Sequence, residues 1–145
     1  MKPGIDYIGV SCGAFIVNEK NEVLLQKRGQ QCKNNKGHWS LPGGALDYNE
    51  RFHDGVKREI LEELGIHIEI IDMLCVTEDI MPDEKQHWVT PQYFSKIIGG
   101  TLEIKEPEKC DAIQWFSLDH LPSPLTLPTQ DALAAFLQRS KQQTI

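Results

Sequence analysis

The sequence predicts an α+β domain in which a mixed β-sheet is covered by helices on both faces. Two segments with helical spacing, one central and one near the C-terminal end, lie among several segments rich in β-branched and aromatic residues. The 145 residues, of which 40% are hydrophobic and 25% charged, have the composition of an ordinary globular protein. This length suits one domain, residues 1–145, and the sequence has no internal repeat or linker.

The strands are predicted where β-branched and aromatic residues form runs between turn signals. The first run, residues 7–17, is followed by the polar residues 18–21 and by a second run at 22–27, so these two strands are expected to form a hairpin. The remaining predicted strands are residues 45–47, 66–76, 87–98, 101–104 and 112–116.

Two helices are predicted from the spacing of apolar residues. In residues 51–64 the apolar side chains recur every four positions, at Phe52, Val56, Ile60 and Leu64. Asn49 is the expected N-cap, and Gly65 follows where a helix commonly ends. Residues 129–140 form the second, amphipathic helix.

The charge and the cysteines exclude several classes of protein. A net charge of −6 and a pI near 5.3 argue against binding to a nucleic acid polymer, which usually requires a basic surface. The four cysteines, Cys12, Cys32, Cys75 and Cys110, form no CxxC pair and are expected to be reduced thiols. No signal peptide or membrane span is evident, so a cytoplasmic location is expected.

Three glutamates in the central helix point to a metal site. At ~100° per residue, Glu59, Glu62 and Glu63 span an arc of about 100° on the helix, and Glu63 falls between Phe52 and Val56 in the apolar stripe. Taken alone, such a helix is more typical of a charged surface. A carboxylate in an apolar stripe nevertheless requires a counter-charge, and a hard divalent cation such as Mg²⁺ or Mn²⁺ suits oxygen ligands.

The surrounding register resembles the signature of the Nudix family, G-x5-E-x7-R-E-U-x-E-E-x-G-U, in which U is aliphatic. All nine specified positions are filled in residues 44–66, by Gly44, Glu50, Arg58, Glu59, Ile60, Glu62, Glu63, Gly65 and Ile66. The run GHWSLPGG before this segment and the run EKCDAIQWFSLDHLP after it are similar to the flanks of MutT-like members. The resemblance covers about residues 7–122.

The resemblance implies an α/β/α sandwich, and it implies roles for particular residues. Magnesium, for which manganese is a possible substitute, would be bound by the carboxylates Glu59, Glu62 and Glu63 and by the backbone carbonyl of Gly43. A further carboxylate would come from Glu108 or, as the second choice, Glu106. Arg58 would orient the glutamates and Glu50 would brace the loop through it, while Glu62 or Glu63 would act as general base; the catalytic set is Glu50, Arg58, Glu62 and Glu63.

The resemblance also implies the reaction, the hydrolysis of a diphosphate linkage in a nucleoside triphosphate or related nucleotide by attack of an activated water on phosphorus. An ADP-ribose or nucleotide-sugar pyrophosphatase is the alternative, with Pro82 as its one sequence hint, although a turn proline is the simpler interpretation. A nucleotide-binding module without catalytic activity is the alternative of another class.

The expected partner is a small nucleotide, and a homodimer is possible by analogy. Four aromatic residues, Tyr7, Trp39, Trp88 and Phe94, are candidates for stacking on a base, but they are more typical of a core.

Overall fold

The computed structural model describes residues 1–143, which form seven strands and two helices. The strands are β1 (Gly9–Ile16), β2 (Glu22–Arg28), β3 (Trp39–Ser40), β4 (Gly43–Ala45), β5 (Ile66–Met81), β6 (Gln86–Gly100) and β7 (Cys110–Ser117). The helices are α1 (Phe52–Leu64) and α2 (Leu127–Gln143). None of the described helices is long and apolar enough to cross a membrane.

The strands form two sheets. The first has the order β4-β1-β6-β5 and is mixed, because β1 and β6 are parallel while the other two pairs are antiparallel. The second has the order β3-β2-β7 and is antiparallel. The predicted α+β class with a mixed sheet is therefore confirmed.

Alternation along β1 explains why helices cover both faces of the first sheet. Ala14 and Ile16 point to one face, where they pack with Val56, Ile60 and Leu64 of α1. Phe15 and the following Val17 point to the opposite face, toward α2; there the packed residues include Phe94, Ala132 and Phe136. Each face thus has a separate apolar core, as in an α/β/α sandwich.

The predicted hairpin of the first two strands is wrong. Only one bridge, Val17 to Val23, joins them directly, and β1 and β2 then enter different sheets. In the first sheet β1 already has β4 and β6 as neighbours, while β2 lies between β3 and β7 in the second, so neither strand has a free edge for the other.

The ends of α1 are partly as predicted. Gly65 ends the helix in a left-handed conformation, with φ 71°, and its N–H donates to the carbonyl of Leu61. The N-cap is Arg51 rather than Asn49, which lies in a left-handed turn, with φ 65°, before the helix begins. Of the predicted apolar stripe, Phe52 is 44% exposed because it lies in the first turn, at the edge of the contact with the sheet.

Residues 101–104 do not form the predicted strand. The segment instead crosses the C-terminal end of α1, where the N–H groups of Thr101, Glu103 and Lys105 donate to the carbonyls of Gly65, Leu64 and Glu63. These carbonyls lack partners within the helix, so the segment caps it. We call residues 101–105 the capping segment.

The four thiols are free, as the cysteine pattern predicts. Burial raises the pKa of the Cys12 thiol to about 12 and is also the main cause that raises the pKa of Cys110 to about 11. These two thiols are therefore unreactive at neutral pH.

Candidate active site

Arg58 is the centre of an ion-pair network beneath the first turns of α1. Its Nε lies 2.6 Å from Glu50 Oε2, and its Nη2 lies 2.9 Å from Glu50 Oε1. The same Nη2 donates to the carbonyl of Ala45 at 3.2 Å, and Nη1 donates to Glu59 at 3.0 Å and Glu62 at 3.2 Å. Arg58 thus joins the loop before α1, the end of β4 and the helix carboxylates.

Glu50 closes the loop onto this arginine. Besides the two bonds from Arg58, its Oε1 accepts the N–H of Asp47 at 3.0 Å. The hydrogen bond from Arg58 is the main cause that holds the pKa of Glu50 near 2, well below its usual value. Glu50 thus contacts both the backbone of the loop at Asp47 and the side chain of Arg58, and its role in bracing the loop stays a prediction.

Glu59 occupies the space that a side chain at position 44 would take. A Cβ built on Gly44 would overlap the Glu59 carboxylate. Glycine at this position therefore lets the carboxylate of α1 approach the backbone of β4 closely.

Glu63, one turn further along α1, lies beside Glu59. Burial raises the pKa of Glu63 well above its usual value, and the charge of Glu59 and a hydrogen bond between the two carboxyl groups raise it further. Glu106 adds a third negative charge nearby, whereas the side-chain amide of Gln26 donates to Glu63 and lowers its pKa. Burial and the neighbouring negative charges therefore both disfavour the charged form of Glu63.

Two of the other predicted carboxylate ligands, Glu62 and Glu108, lie outside this group. The Glu62 side chain is 55% exposed and turns toward Arg58. Glu108 is exposed and does not line the cavity described below, whereas Glu106 is half-buried and lines it. The capping segment explains this placement, because the bond from the Lys105 N–H to the Glu63 carbonyl, at 2.9 Å, holds the next residue, Glu106, against the end of α1. Glu106 therefore lies with this group in the cavity lining, which Glu108 does not share, and a metal-binding role for either residue stays a prediction.

The backbone carbonyl of Gly43 is available at the open edge of the first sheet. Pairing of β4 with β1 uses Pro42 and Leu46, since Pro42 accepts from Ala14 and Leu46 donates to Val10. In an antiparallel pair only alternate residues direct their N–H and C=O groups at the partner strand. Gly43 lies between two such residues, so its N–H and C=O point away from β1. Since β4 is an edge strand, this carbonyl is free to bind a ligand.

A cavity of about 370 Å³ connects these groups with the interior of the domain. Gly43, Gly44, Glu59, Glu63 and Glu106 line one part of it. The rest is lined by residues of both sheets, of the loop after β2 and of the start of α2. The polar ones include Gln26, Arg28, Asn34, Ser40, Asp79 and Gln92, and the apolar ones include Leu41, Trp88 and Pro128. Of the four aromatic candidates only Trp88 lines the cavity; Tyr7 is outside it, and Trp39 and Phe94 belong to the core cluster of α2.

The residues at the mouth of the cavity fit a divalent cation. Within residues 1–143, no three acidic, histidine or cysteine side chains already converge as metal ligands, since Glu62 faces Arg58. What the site provides is the carboxyl groups of Glu59 and Glu63, a third carboxylate, Glu106, and the carbonyl of Gly43, which are hard oxygen donors that line one cavity. A bound divalent cation would relieve the repulsion among these carboxylates.

The match to known proteins decides the family. The NUDIX domain model matches residues 8–138. The chain belongs to the NUDIX family. The predicted membership is therefore confirmed, and Nudix hydrolases generally need a divalent metal ion.

Similar proteins agree with this assignment. A MutT NUDIX hydrolase from Burkholderia pseudomallei, whose crystal structure is known, is 41% identical with a TM-score of 0.83, over 90% of this chain and 98% of that one. The human 8-oxo-dGDP phosphatase NUDT18 is 30% identical over 115 residues, and an ADP-ribose pyrophosphatase of Methanocaldococcus jannaschii is 33% identical over 109. These matches cover 77% and 74% of this chain but only 33% and 61% of the two relatives.

The sequence pattern did not identify the polar wall of the cavity, by which we mean Gln26, Asp79, Thr90 and Gln92. Gln26 and Gln92 lie on predicted strands and have no distinctive spacing, so nothing in the sequence marks them as neighbours of Glu63 or of the cavity. The one available signal was the row of polar residues Thr77, Asp79, Thr90 and Gln92 at alternate positions of two strands that are otherwise rich in apolar residues.

Proposed function

We propose that this Nudix domain hydrolyses a diphosphate linkage in a nucleoside triphosphate or related nucleotide, with magnesium as the natural ion and manganese as a substitute. The observation that carries the proposal is that Glu59, Glu63 and Glu106 line one cavity that is large enough for a small ligand. The polyphosphate would lie at the carboxylates, and the nucleoside would enter the rest of the cavity.

The proposed metal ligands are the carboxylates of Glu59, Glu63 and Glu106 and the carbonyl of Gly43. A bound divalent cation would neutralise the phosphate oxygens and lower the pKa of the attacking water. It would also explain how an acidic domain, with a net charge of −6, binds an anionic substrate.

The chain's own residues have separate roles in this proposal. Glu63, which lines the cavity, takes the proton of the attacking water as general base. Glu62 faces Arg58 and solvent, so we propose that it positions the arginine and is a weaker candidate for the base. Arg58 and Glu50 fix the positions of the helix carboxylates and of the loop before α1 relative to one another.

The substrate panel follows from the relatives. The human relative is named for an oxidised guanine nucleotide, and the archaeal one for ADP-ribose. We therefore include oxidised nucleotides and take an ADP-ribose or nucleotide-sugar pyrophosphatase as the second candidate. Pro82 does not strengthen that candidate, because it lies in the turn between β5 and β6, outside the residues that line the cavity.

The test is a hydrolysis screen with identified products, with and without magnesium. The screen compares wild type with Glu63→Gln and with Glu108→Gln, which is the control. The substrates are nucleoside triphosphates, their oxidised forms and diphosphates, ADP-ribose and nucleotide sugars. Release of pyrophosphate and a monophosphate from a triphosphate would support the proposal, provided that chelation abolishes the activity. Glu63→Gln should also lose the activity, whereas Glu108→Gln should retain it. Preference for ADP-ribose would support the second candidate. Nucleotide binding without hydrolysis of any compound would identify a silent binding module instead.

A further inference from the structure

Several of the buried side chains that line the cavity are polar, although a protein core is usually apolar. Asp79 of β5 and Thr90 and Gln92 of β6 are buried and line the cavity, and the buried Thr77 of β5 contacts Gln92 without lining it. Further along the same strands the buried positions are taken by Ile68, Tyr93 and Phe94. Burying polar groups is costly unless each has a hydrogen-bond partner. Thr77 and Thr90 have partners, Asp131 and Ser11, so the polar atoms that lack a partner are the informative ones.

Three buried polar atoms in residues 1–143 have no hydrogen-bond partner. They are Gln26 Oε1, Ser40 Oγ and Gln92 Oε1, and all three belong to residues that line this cavity. The two amide oxygens are acceptors, and the Ser40 hydroxyl can donate or accept. Leaving a buried polar atom unpaired usually costs free energy, so their occurrence at one cavity points to a polar ligand that supplies donors to the two amide oxygens.

The orientation of the Gln92 amide is fixed by its neighbours. The Thr77 hydroxyl donates to Asp131 Oδ2 at 2.8 Å, and a carboxylate accepts but does not donate. Thr77 has then used its only proton, so its oxygen accepts from Gln92 Nε2 at 3.2 Å. The amide cannot reverse without losing this bond, and the atom left without a partner is the acceptor Oε1.

Gln92 also lies in register with the proposed metal site. Gly43 pairs with Gly13, and Gly13 pairs with Gln92, so the three residues lie side by side on β4, β1 and β6. Two strand spacings separate the Cα atoms of Gly43 and Gln92 by roughly 10 Å. A Cβ at Gly13 would lie 2.6 Å from Gln92 Oε1, so glycine leaves the space in which this oxygen sits.

We propose that Gln92 is a specificity-determining residue, whose Oε1 accepts a hydrogen bond from an amino group on the base of the bound nucleotide. This inference rests on the proposed function, since it places the base in the cavity and the phosphates at the carboxylates. An amino-bearing base presents a donor to Oε1, whereas the corresponding oxo base presents a second acceptor and is repelled. The domain therefore selects amino-bearing nucleotides over their deaminated counterparts.

The test compares binding of matched nucleoside monophosphates by calorimetry. The pairs are AMP with IMP, CMP with UMP, and GMP with IMP, which each replace or remove one amino group. We expect wild type to bind the amino member of at least one pair on the order of tenfold more tightly, as for an acceptor that loses its partner. Gln92→Met, which keeps the length of the side chain, and Thr77→Val, which frees the amide to rotate, should each reduce this ratio to about two or less.

Gln114→Met is the matched control, because Gln114 is exposed on β7 and does not line the cavity. Its ratio should equal that of wild type, and thermal unfolding checks that every variant is folded. Thr77→Val keeps the test valid if Gln92→Met does not fold, because it retains Gln92 itself. Equal affinities within every pair, a preference that persists in both Gln92→Met and Thr77→Val, or no binding of any monophosphate would overturn the proposal. Retained discrimination without hydrolysis of any triphosphate would contradict only the proposed function.

Discussion

Arg58 and Glu50 form a two-bond ion pair, with Nε to Oε2 at 2.6 Å and Nη2 to Oε1 at 2.9 Å. The planar guanidinium matches both carboxylate oxygens, and its third nitrogen reaches Glu59 and Glu62. This pair connects the loop before α1 to the carboxylates of the helix, so a change at Glu50 or Arg58 should affect both stability and turnover.

Replacing Glu50 with Gln should destabilise the domain in a manner that depends on pH. In the folded protein the pKa of Glu50 is about 2, below the ordinary value of 4.5, so its ionised form stabilises the fold above pH 4.5. We expect Glu50→Gln to lower the free energy of unfolding by about 1–2 kcal/mol at pH 7, as for loss of a hydrogen bond to a charged group. The difference from wild type should shrink as the pH falls from 4.5 toward 2. Urea unfolding across this range measures it, and a constant difference would contradict the ion pair.

Replacing Arg58 with Lys should preserve the charge but lose the geometry. A lysine ammonium is a point charge and cannot donate two parallel bonds to Glu50 while also reaching Glu59. We expect kcat to fall by about 10- to 100-fold, the usual effect of losing a residue that orients metal ligands. Steady-state kinetics at saturating magnesium measure the loss. Wild-type kcat in Arg58→Lys would show that charge alone is sufficient.

The carboxylate variants should separate Glu63 from Glu62. Because Glu63 lines the cavity and Glu62 is exposed toward Arg58, Glu63→Gln should reduce kcat by about 10²–10⁴-fold, the contribution typical of a general base, and Glu62→Gln by less. Both variants are expected to fold. A larger loss in Glu62→Gln would assign the base to Glu62, and near-wild-type activity in both would contradict the site.

Metal-free protein should become less stable as the pH rises above the ordinary pKa of a glutamate. The folded-state pKa of Glu63 is raised above 4.5, so the unfolded chain loses this proton first and stability declines until the folded group also ionises. Glu63→Gln should flatten this decline, because it has no proton to lose. Thermal unfolding with a chelator, from pH 4 upward, provides the comparison. An identical pH dependence in wild type and variant would show that Glu63 is not the group responsible.

Replacing Gly44 with Ala should displace Glu59. The new Cβ would overlap the Glu59 carboxylate, and Gly44 does not have a positive φ that would add backbone strain. We expect kcat to fall by about tenfold or more, since a small misplacement of a catalytic group is costly. Gly99→Ala is the control, because a Cβ there meets only His67 at ordinary contact distance, 3.8 Å. Equal activity in the two variants would refute the close approach of Glu59 to β4.

The sequence predicts the fold class and α1 well because both depend on local periodicity. Val56, Ile60 and Leu64 are buried as their spacing predicts, and Gly65 ends the helix because it adopts the left-handed conformation. The hairpin of β1 and β2 and the strand at 101–104 could not be excluded from the sequence, because both depend on which long-range partners the backbone groups find.

The same distinction applies to the candidate site. Glu59 and Glu63 are close because they lie one turn apart on a single helix, which spacing reveals. The choice between Glu106 and Glu108 depends on the bond from Lys105 to the Glu63 carbonyl, between residues far apart in the sequence. No local pattern encodes that contact, and the same is true of the polar wall around Gln92.

The most direct test of the central claim is a magnesium and manganese titration of wild type and of a Glu59→Gln/Glu63→Gln double variant, followed by calorimetry and by nucleotide hydrolysis in the same samples. We predict that the wild-type protein binds the ion and hydrolyses nucleotide only when the ion is bound. The double variant should remain folded but lose both ion binding and hydrolysis. Hydrolysis that persists in the presence of a chelator, or metal-dependent turnover of wild-type size in the double variant, would contradict the assignment of this site.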